Sequence, residues 1–143
     1  MTNVAQVIQN KIEQNIFTIS PESTVLEAIS LMADKGIGAL VVTDQDKVVG
    51  IFSERDYTRK IILMERTSKE TTVSEIMTAK VLTVTKSNSV EDCLNRMTDR
   101  HLRHLPVVEN DKLIGLISIG DLVKVVMEDQ RKLIDQLQQY IAS

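Results

Sequence analysis

The chain writes one passage twice. GIFSERD at residues 50–56 returns as GLISIGD at 115–121, and the same offset of 65 positions aligns residues 16–59 with 81–124 without a gap. Across that window Thr18, Val25, Met32, Asp34, Leu40, Val42, Asp46, Lys47, Gly50, Ser53 and Asp56 each meet an identical residue, and most other pairs exchange one apolar side chain for another. A repeat of this length is the mark of one supersecondary unit used twice. It restricts the fold to two like halves.

Each half carries the same order of signals. IFTIS and VLTVT are short β-rich runs, and TVLEAISLMADK and SVEDCLNRMTDR place apolar residues at the spacing of an amphipathic helix. ALVVT and LPVVE are almost continuously apolar, as strands covered on both faces are. The polar turns DQDK and ENDK then lead into the strands VVGIFS and LIGLIS. A second helix is predicted from Glu54 in one copy and from Ile119 in the other. The unit is β-α-β-β-α, and the class is α/β. Residues 1–66 are read as the first repeat with an N-terminal helix, and 67–143 as the second with a C-terminal helix. A copy of about 60 residues buries too little apolar surface to be comfortable alone, so the two are expected to form one pseudo-twofold module.

Composition excludes several classes of function. The 143 residues are 43% hydrophobic and carry a net charge of −3, without the basic excess that a phosphate-backbone binder gathers. Nucleic acid is therefore not an expected partner. The N-terminal MTNVAQVIQNKIEQ lacks the charged start and apolar run of a signal peptide, and no stretch approaches the 18 or so apolar residues of a membrane span. The expectation is a cytoplasmic protein. One cysteine, Cys93, excludes an internal disulfide and a cysteine-rich metal site, and it falls on the apolar face of a predicted helix. Two histidines and the lack of an HExxH, nucleophile-elbow, P-loop or Rossmann signature leave no catalytic or metal constellation. No enzyme activity is expected.

The repeat, the GIFSERD and GLISIGD segments, GALVV and RHLPVV before them and the TVSEIMT linker together resemble a cystathionine-beta-synthase (CBS) domain pair, or Bateman module, over nearly the whole chain. The resemblance implies a regulatory module that binds adenine nucleotides in clefts between the two copies and often dimerises. It also assigns residues. Asp56 and Asp121 would hold the two ribose hydroxyls. Adenine would lie against Asn15, Ile16, Ile37, Gly38 and Ala39 in one copy and Lys80, Val81, Leu102, Arg103 and His104 in the other. Ser53 and Ser118 sit where helix amides begin to point outward, a place that suits phosphate.

The same serines and aspartates also spell a capping box, in which a serine oxygen accepts from a helix amide while the acid reaches back. Thr24 with Glu27, Thr72 with Glu75 and Ser89 with Asp92 share that spacing, so spacing alone does not separate a cap from a ligand site. Gly50 and Gly115 interrupt apolar strands, where a bulge or a close approach would explain them, a nucleotide being one candidate neighbour. The copies diverge where phosphate would go. GIGA in the first is HLRH in the second, with Arg100 just before it, and Arg55 stands in the first motif where the second has Gly120. Arg103 is read as a phosphate ligand, His104 as either ligand or packing residue, and Arg59, Lys60 and Arg100 as a solvated helix face. The ligand expected is AMP, ADP, ATP or NAD(H), with an S-adenosylmethionine sensor or a protein-binding adaptor with vestigial clefts as alternatives. Leu122, Val126, Leu133, Leu137 and Tyr140 or Ile141 form a helical stripe that outlasts the second repeat, and it is read as packing on its own module or on Val4, Val7 and Ile8, or as a homodimer or partner contact. No effector domain is seen, so the regulated target is expected to be a separate protein.

Overall fold

The computed structural model describes residues 2–11 and 16–142. Helix α1 (Val4–Asn10) is followed by strand β1 (Thr18–Ile19), helix α2 (Val25–Lys35) and the hairpin β2 (Ala39–Asp44) and β3 (Lys47–Ser53). Helix α3 (Glu54–Asp56) runs on into a wider π-helical stretch, Tyr57–Ile62. The second half has a short helix α4 (Val73–Ile76), α5 (Val90–Arg100), the hairpin β4 (His104–Glu109) and β5 (Lys112–Ser118), and the long α6 (Ile119–Ala142).

The repeat is legible in the geometry. α2 buries Val25, Ala28 and Met32, and α5 buries Val90, Cys93 and Met97, the same three positions one repeat later. Both hairpins turn on two residues with positive φ, Gln45 and Asp46 in one and Asn110 and Asp111 in the other, the pattern whose twist matches its flanking strands. Both carry a register shift opposite the repeated glycine, at Val42/Thr43 and at Val107/Val108. At Gly50 the reason for glycine is a close approach from within the chain. A Cβ there would lie 2.5 Å from Met77 Sδ and 3.0 Å from the Thr78 carbonyl, so the linker takes the room offered above to a nucleotide.

The halves differ at their first strands. β1 pairs with β2 in parallel, Thr18 opposite Val41 and Ile19 opposite Val42. Its counterpart makes only one bridge, Val84 to Val107, with Val84 N donating to Pro106 O and Val108 N to Val84 O. Extending that ladder one step toward Leu82 would need an N–H from residue 106. Proline has none, so the strand stops there.

Two cores result, and each borrows a helix from outside its own repeat. Leu40, Val42, Phe52 and Ile61 of the first pack with Val73 and Ile76 of α4. Leu105, Val107, Ile117, Leu122 and Val125 of the second pack with Val4 and Val7 of α1. The seams are alike in detail. Val73 N donates to Ser23 O at 2.8 Å and Val4 N to Asn88 O at 2.9 Å, while Val25 N returns to Thr71 O and Val90 N to Thr2 O. The N-terminal helix thus closes the second core and the linker helix closes the first. The start of α6 packs beside α1, as one of the two sequence readings has it, while Leu133, Leu137 and Ile141 further along are exposed.

Candidate functional site

Each repeat ties its pre-strand loop to its motif. The Gly38 carbonyl accepts from Glu54 N at 3.1 Å and the Arg103 carbonyl from Ile119 N at 3.0 Å. Between the halves lies a cavity of about 460 Å³. One wall comes from the first repeat, with Gly38, Ile51, Ser53, Arg55, Asp56 and Arg59. The other comes from the second, with Lys80, Val81, Leu82 and the run Arg100–His104, and Thr78 of the linker joins them.

This arrangement gathers Gly38, Ser53, Arg55, Asp56, Lys80, Val81, Leu102, Arg103 and His104 of the expected set into one space. Ile16, Ile37, Ala39, Ser118 and Asp121 do not line it, and Asn15 lies outside the described residues. The grouping crosses the repeats, since the motif of the first copy faces the strand entrance and pre-strand loop of the second. Arg59 and Arg100, read above as a solvated face, line the cavity as well. Lys60 turns instead toward the motif, with Nζ 3.3 Å from Asp56 Oδ1 and 2.9 Å from the Ile76 carbonyl.

Ser53 and Asp56 do form a capping box. Asp56 Oδ2 accepts from Ser53 N at 3.0 Å and Ser53 Oγ at 3.1 Å, and Ser53 Oγ accepts from Asp56 N at 3.2 Å. Glu54 N is given to the Gly38 carbonyl, so two of the three amides of α3, those of Glu54 and Asp56, are already engaged. Anion-holding capacity therefore rests mainly on side chains. Five cations, Arg55, Arg59, Lys80, Arg100 and Arg103, line the cavity against two carboxylates, Glu54 and Asp56. None of the five makes an ion pair with a carboxylate of the described residues. An excess of unpaired positive charge in one hollow of a net acidic chain is a field that draws anions.

Asp56 Oδ1 faces looser partners, Lys60 at 3.3 Å and Thr78 Oγ1 at 3.4 Å, so this edge of the carboxylate has acceptor capacity left. His101 ends α5 at φ 54°, the left-handed conformation that Gly36 adopts at the end of α2 with φ 66°. A histidine therefore stands on the cavity wall where glycine would be the easier residue. His104 is held below the ordinary histidine range. Burial is the main cause, Asp121 opposes it, and Lys11 and Arg103 add to it. It is a neutral imidazole near pH 7. Cys93 is buried and its thiol is pushed up to about 11 by burial and by Asp92, which fits a packing role.

The CBS-domain profile matches residues 4–63 and 73–128, one match for each repeat. The chain belongs to the CBS-domain family. Its structure resembles that of a CBS-domain protein from Burkholderia ambifaria MC40-6, assigned to signal transduction, at a TM-score of 0.85 and 54% identity over 90% of this chain and 96% of that one. A CBS-domain protein from Agrobacterium tumefaciens matches at 0.80 and 35% identity, covering 87% and 98% of the two chains. The mitochondrial CBS-domain protein CBSX3 of Arabidopsis thaliana is 42% identical over 84% of this chain, which spans 61% of that relative's length. No helix among the described residues is long and apolar enough to cross a membrane.

Proposed function

We propose that this CBS pair is a regulatory module that binds a phosphorylated adenine nucleotide, AMP, ADP, ATP or NAD(H), in the cavity between its repeats and transmits that state to a separate effector protein without catalysis of its own. The observation that carries the reading is the set of five unpaired cations around one cavity of nucleotide size. Val81, Leu82 and Leu102 offer the apolar slot for the base, Asp56 Oδ1 the ribose acceptor, and Arg55, Arg59, Lys80, Arg100 and Arg103 the phosphate donors. The same cations disfavour S-adenosylmethionine, which carries a positive sulfonium. The assignment to signal transduction of the similar Burkholderia protein supports a regulatory output. The exposed stripe on α6 supports a homodimer.

The test is a thermal-shift panel of AMP, ADP, ATP, NAD(H), GTP and S-adenosylmethionine. At ligand near 100 times Kd a site present only in the folded state adds about 2.7 kcal/mol, which is several degrees of melting shift. Arg103→Ala should weaken the adenine-nucleotide response on the order of ten- to a hundredfold in affinity, the size of a lost charge-assisted contact. A panel in which no adenine compound moves the transition favours the adaptor reading instead.

A further inference from the structure

The second motif, Ser118–Asp121, has the same capping geometry as the first, with Asp121 Oδ2 accepting from Ser118 N at 2.8 Å and Ser118 Oγ from Asp121 N at 3.1 Å. What lies against it is different. In the first half the linker backbone zips to β3, Thr78 N donating to Ile51 O at 2.9 Å, and the Thr78 hydroxyl reaches Asp56 Oδ1. One repeat later the residue matching Ile51 is Leu116, and its carbonyl accepts from the ammonium of Lys11 at 3.0 Å. The same ammonium lies 2.8 Å from Asp121 Oδ2. Lys11 therefore reaches the matching strand carbonyl and the motif carboxylate, as Thr78 does in the other half, but with a charge and through Oδ2, the oxygen that also accepts from Ser118 N.

Sequence explains how it comes to be there. Residues 2–11, TNVAQVIQNK, match 71–80, TTVSEIMTAK, at an offset of 69, so that Lys11 corresponds to Lys80. Lys80 lines the first cavity with no carboxylate partner, whereas its counterpart is bound to the motif aspartate. The charge balance differs too. At the counterpart positions Arg103 becomes Gly38 and Arg55 becomes Gly120, while Arg59 and Arg100 are matched by Lys124 and Lys35. Lys11 is thus a cation bound to the second motif, and Asp121 neutralises it. Burial alone would raise the Asp121 carboxyl, but the Lys11 hydrogen bond, the Ser118 amide and the Lys11 charge outweigh it and hold the group below its ordinary value.

We infer that Lys11 is a built-in occupant of the second cleft, a tethered ammonium on the carboxylate that would otherwise accept a ribose. The inference rests on the nucleotide reading of the first cleft. It makes the two clefts unequal, one open to a phosphorylated nucleotide and one closed by the chain itself. With the ammonium removed, the Asp121 carboxylate is released to accept a ribose, with Gly38 and Gly120 in the places of Arg103 and Arg55.

Calorimetric titration with ADP and with adenosine tests this on the wild type, Lys11→Met and Lys11→Arg. Methionine keeps the aliphatic stem of a side chain that is 31% exposed, and arginine keeps the charge. The wild type and Lys11→Arg should bind one ADP per chain. Lys11→Met should gain a second site that takes adenosine and ADP. Two ADP sites in the wild type, or one in Lys11→Met, overturn the lock while leaving the nucleotide reading intact. Binding by none of the three sinks that reading and the lock with it. Independently of any ligand, acylation of the wild type followed by peptide mass analysis should modify Lys11 more slowly than Lys80, and Asp121→Asn should abolish the difference. Equal rates in the wild type overturn the lock even if a variant misfolds.

Discussion

His104 stands on the wall of the first cavity and within electrostatic reach of Lys11 and Asp121. Its folded pKa is lowered from 6.5, chiefly by burial, so the unfolded chain binds its proton more readily than the folded one. The sign follows. Its contribution to stability is complete above the unfolded value and declines as pH falls through about 6.5 toward the folded value. Asp121, lowered from 3.8, stays ionised across that window and does not contribute to the slope. The melting temperature of the ligand-free protein should therefore fall between about pH 7 and about pH 5.5, and the fall should be shallower in His104→Gln. Equal slopes in the two proteins would mean that His104 titrates as an exposed histidine does. On the proposed nucleotide reading the ligand effect runs the other way, because a phosphate bound beside the ring would favour the imidazolium, and adenine-nucleotide affinity should rise as the pH is lowered through the same range.

At the scale of elements, hydrophobic periodicity is enough for the helices and hairpins. α2 and α5 begin at Val25 and Val90 behind Thr24 and Ser89, whose hydroxyls accept from Glu27 N and Asp92 N as the sequence spacing expects. It is not enough for the first strands, which depend on hydrogen bonds that side-chain pattern does not report, such as the N–H that Pro106 lacks. Nor does a solvated-face reading find Arg59, since an α-helical wheel does not describe the π-helical stretch Tyr57–Ile62. α6 poses a different problem. Its first turns bury Leu122 and Val125 in the second core with Val126 packed against it, and from Met127 outward its apolar residues are exposed. Val123, Met127, Gln130, Ile134, Leu137 and Ile141 recur at alternating intervals of four and three, the seam of a two-helix coil with one polar position. The homodimer proposed above would set the same seam of a second copy against it. Removing residues 130–143 should convert a dimer to a monomer in light scattering, with the melting temperature of the remaining module little changed. An unchanged mass after truncation would place the dimer contact elsewhere on the module.

The whole molecule is held together by an exchange that the 65-residue offset hides. The segment matching α4 is α1, but it aligns at an offset of 69, because four extra residues, 12–15, follow Lys11 before the repeat resumes at Ile16. A gapless comparison therefore stops at Ile16, and neither the crossing of the helices nor the place of Lys11 can be read from it. The two halves, by contrast, are plain in the sequence, because Val25, Leu40, Val42 and their counterparts must each fill the same position in a core. The exchange has a consequence for folding. Residues 1–66 alone would leave the first core without Val73 and Ile76, both at most 1% exposed in the intact chain, and would leave Val4 and Val7 with nothing to cover. Residues 67–143 alone would lack Val4 and Val7 in turn. Burying such a side chain contributes about 1.5–3 kcal/mol, so each half loses roughly 3–6 kcal/mol of a domain stability that is typically about 5–15 kcal/mol. Each fragment also exposes the face it would have shared with the other. The two fragments, expressed separately, should therefore show little helical circular dichroism and no cooperative melt. When mixed they should recover both, and elute together at the size of the uncut protein. If either fragment melts cooperatively by itself, the exchanged helix is dispensable to its core, and the halves are joined by their shared surface alone.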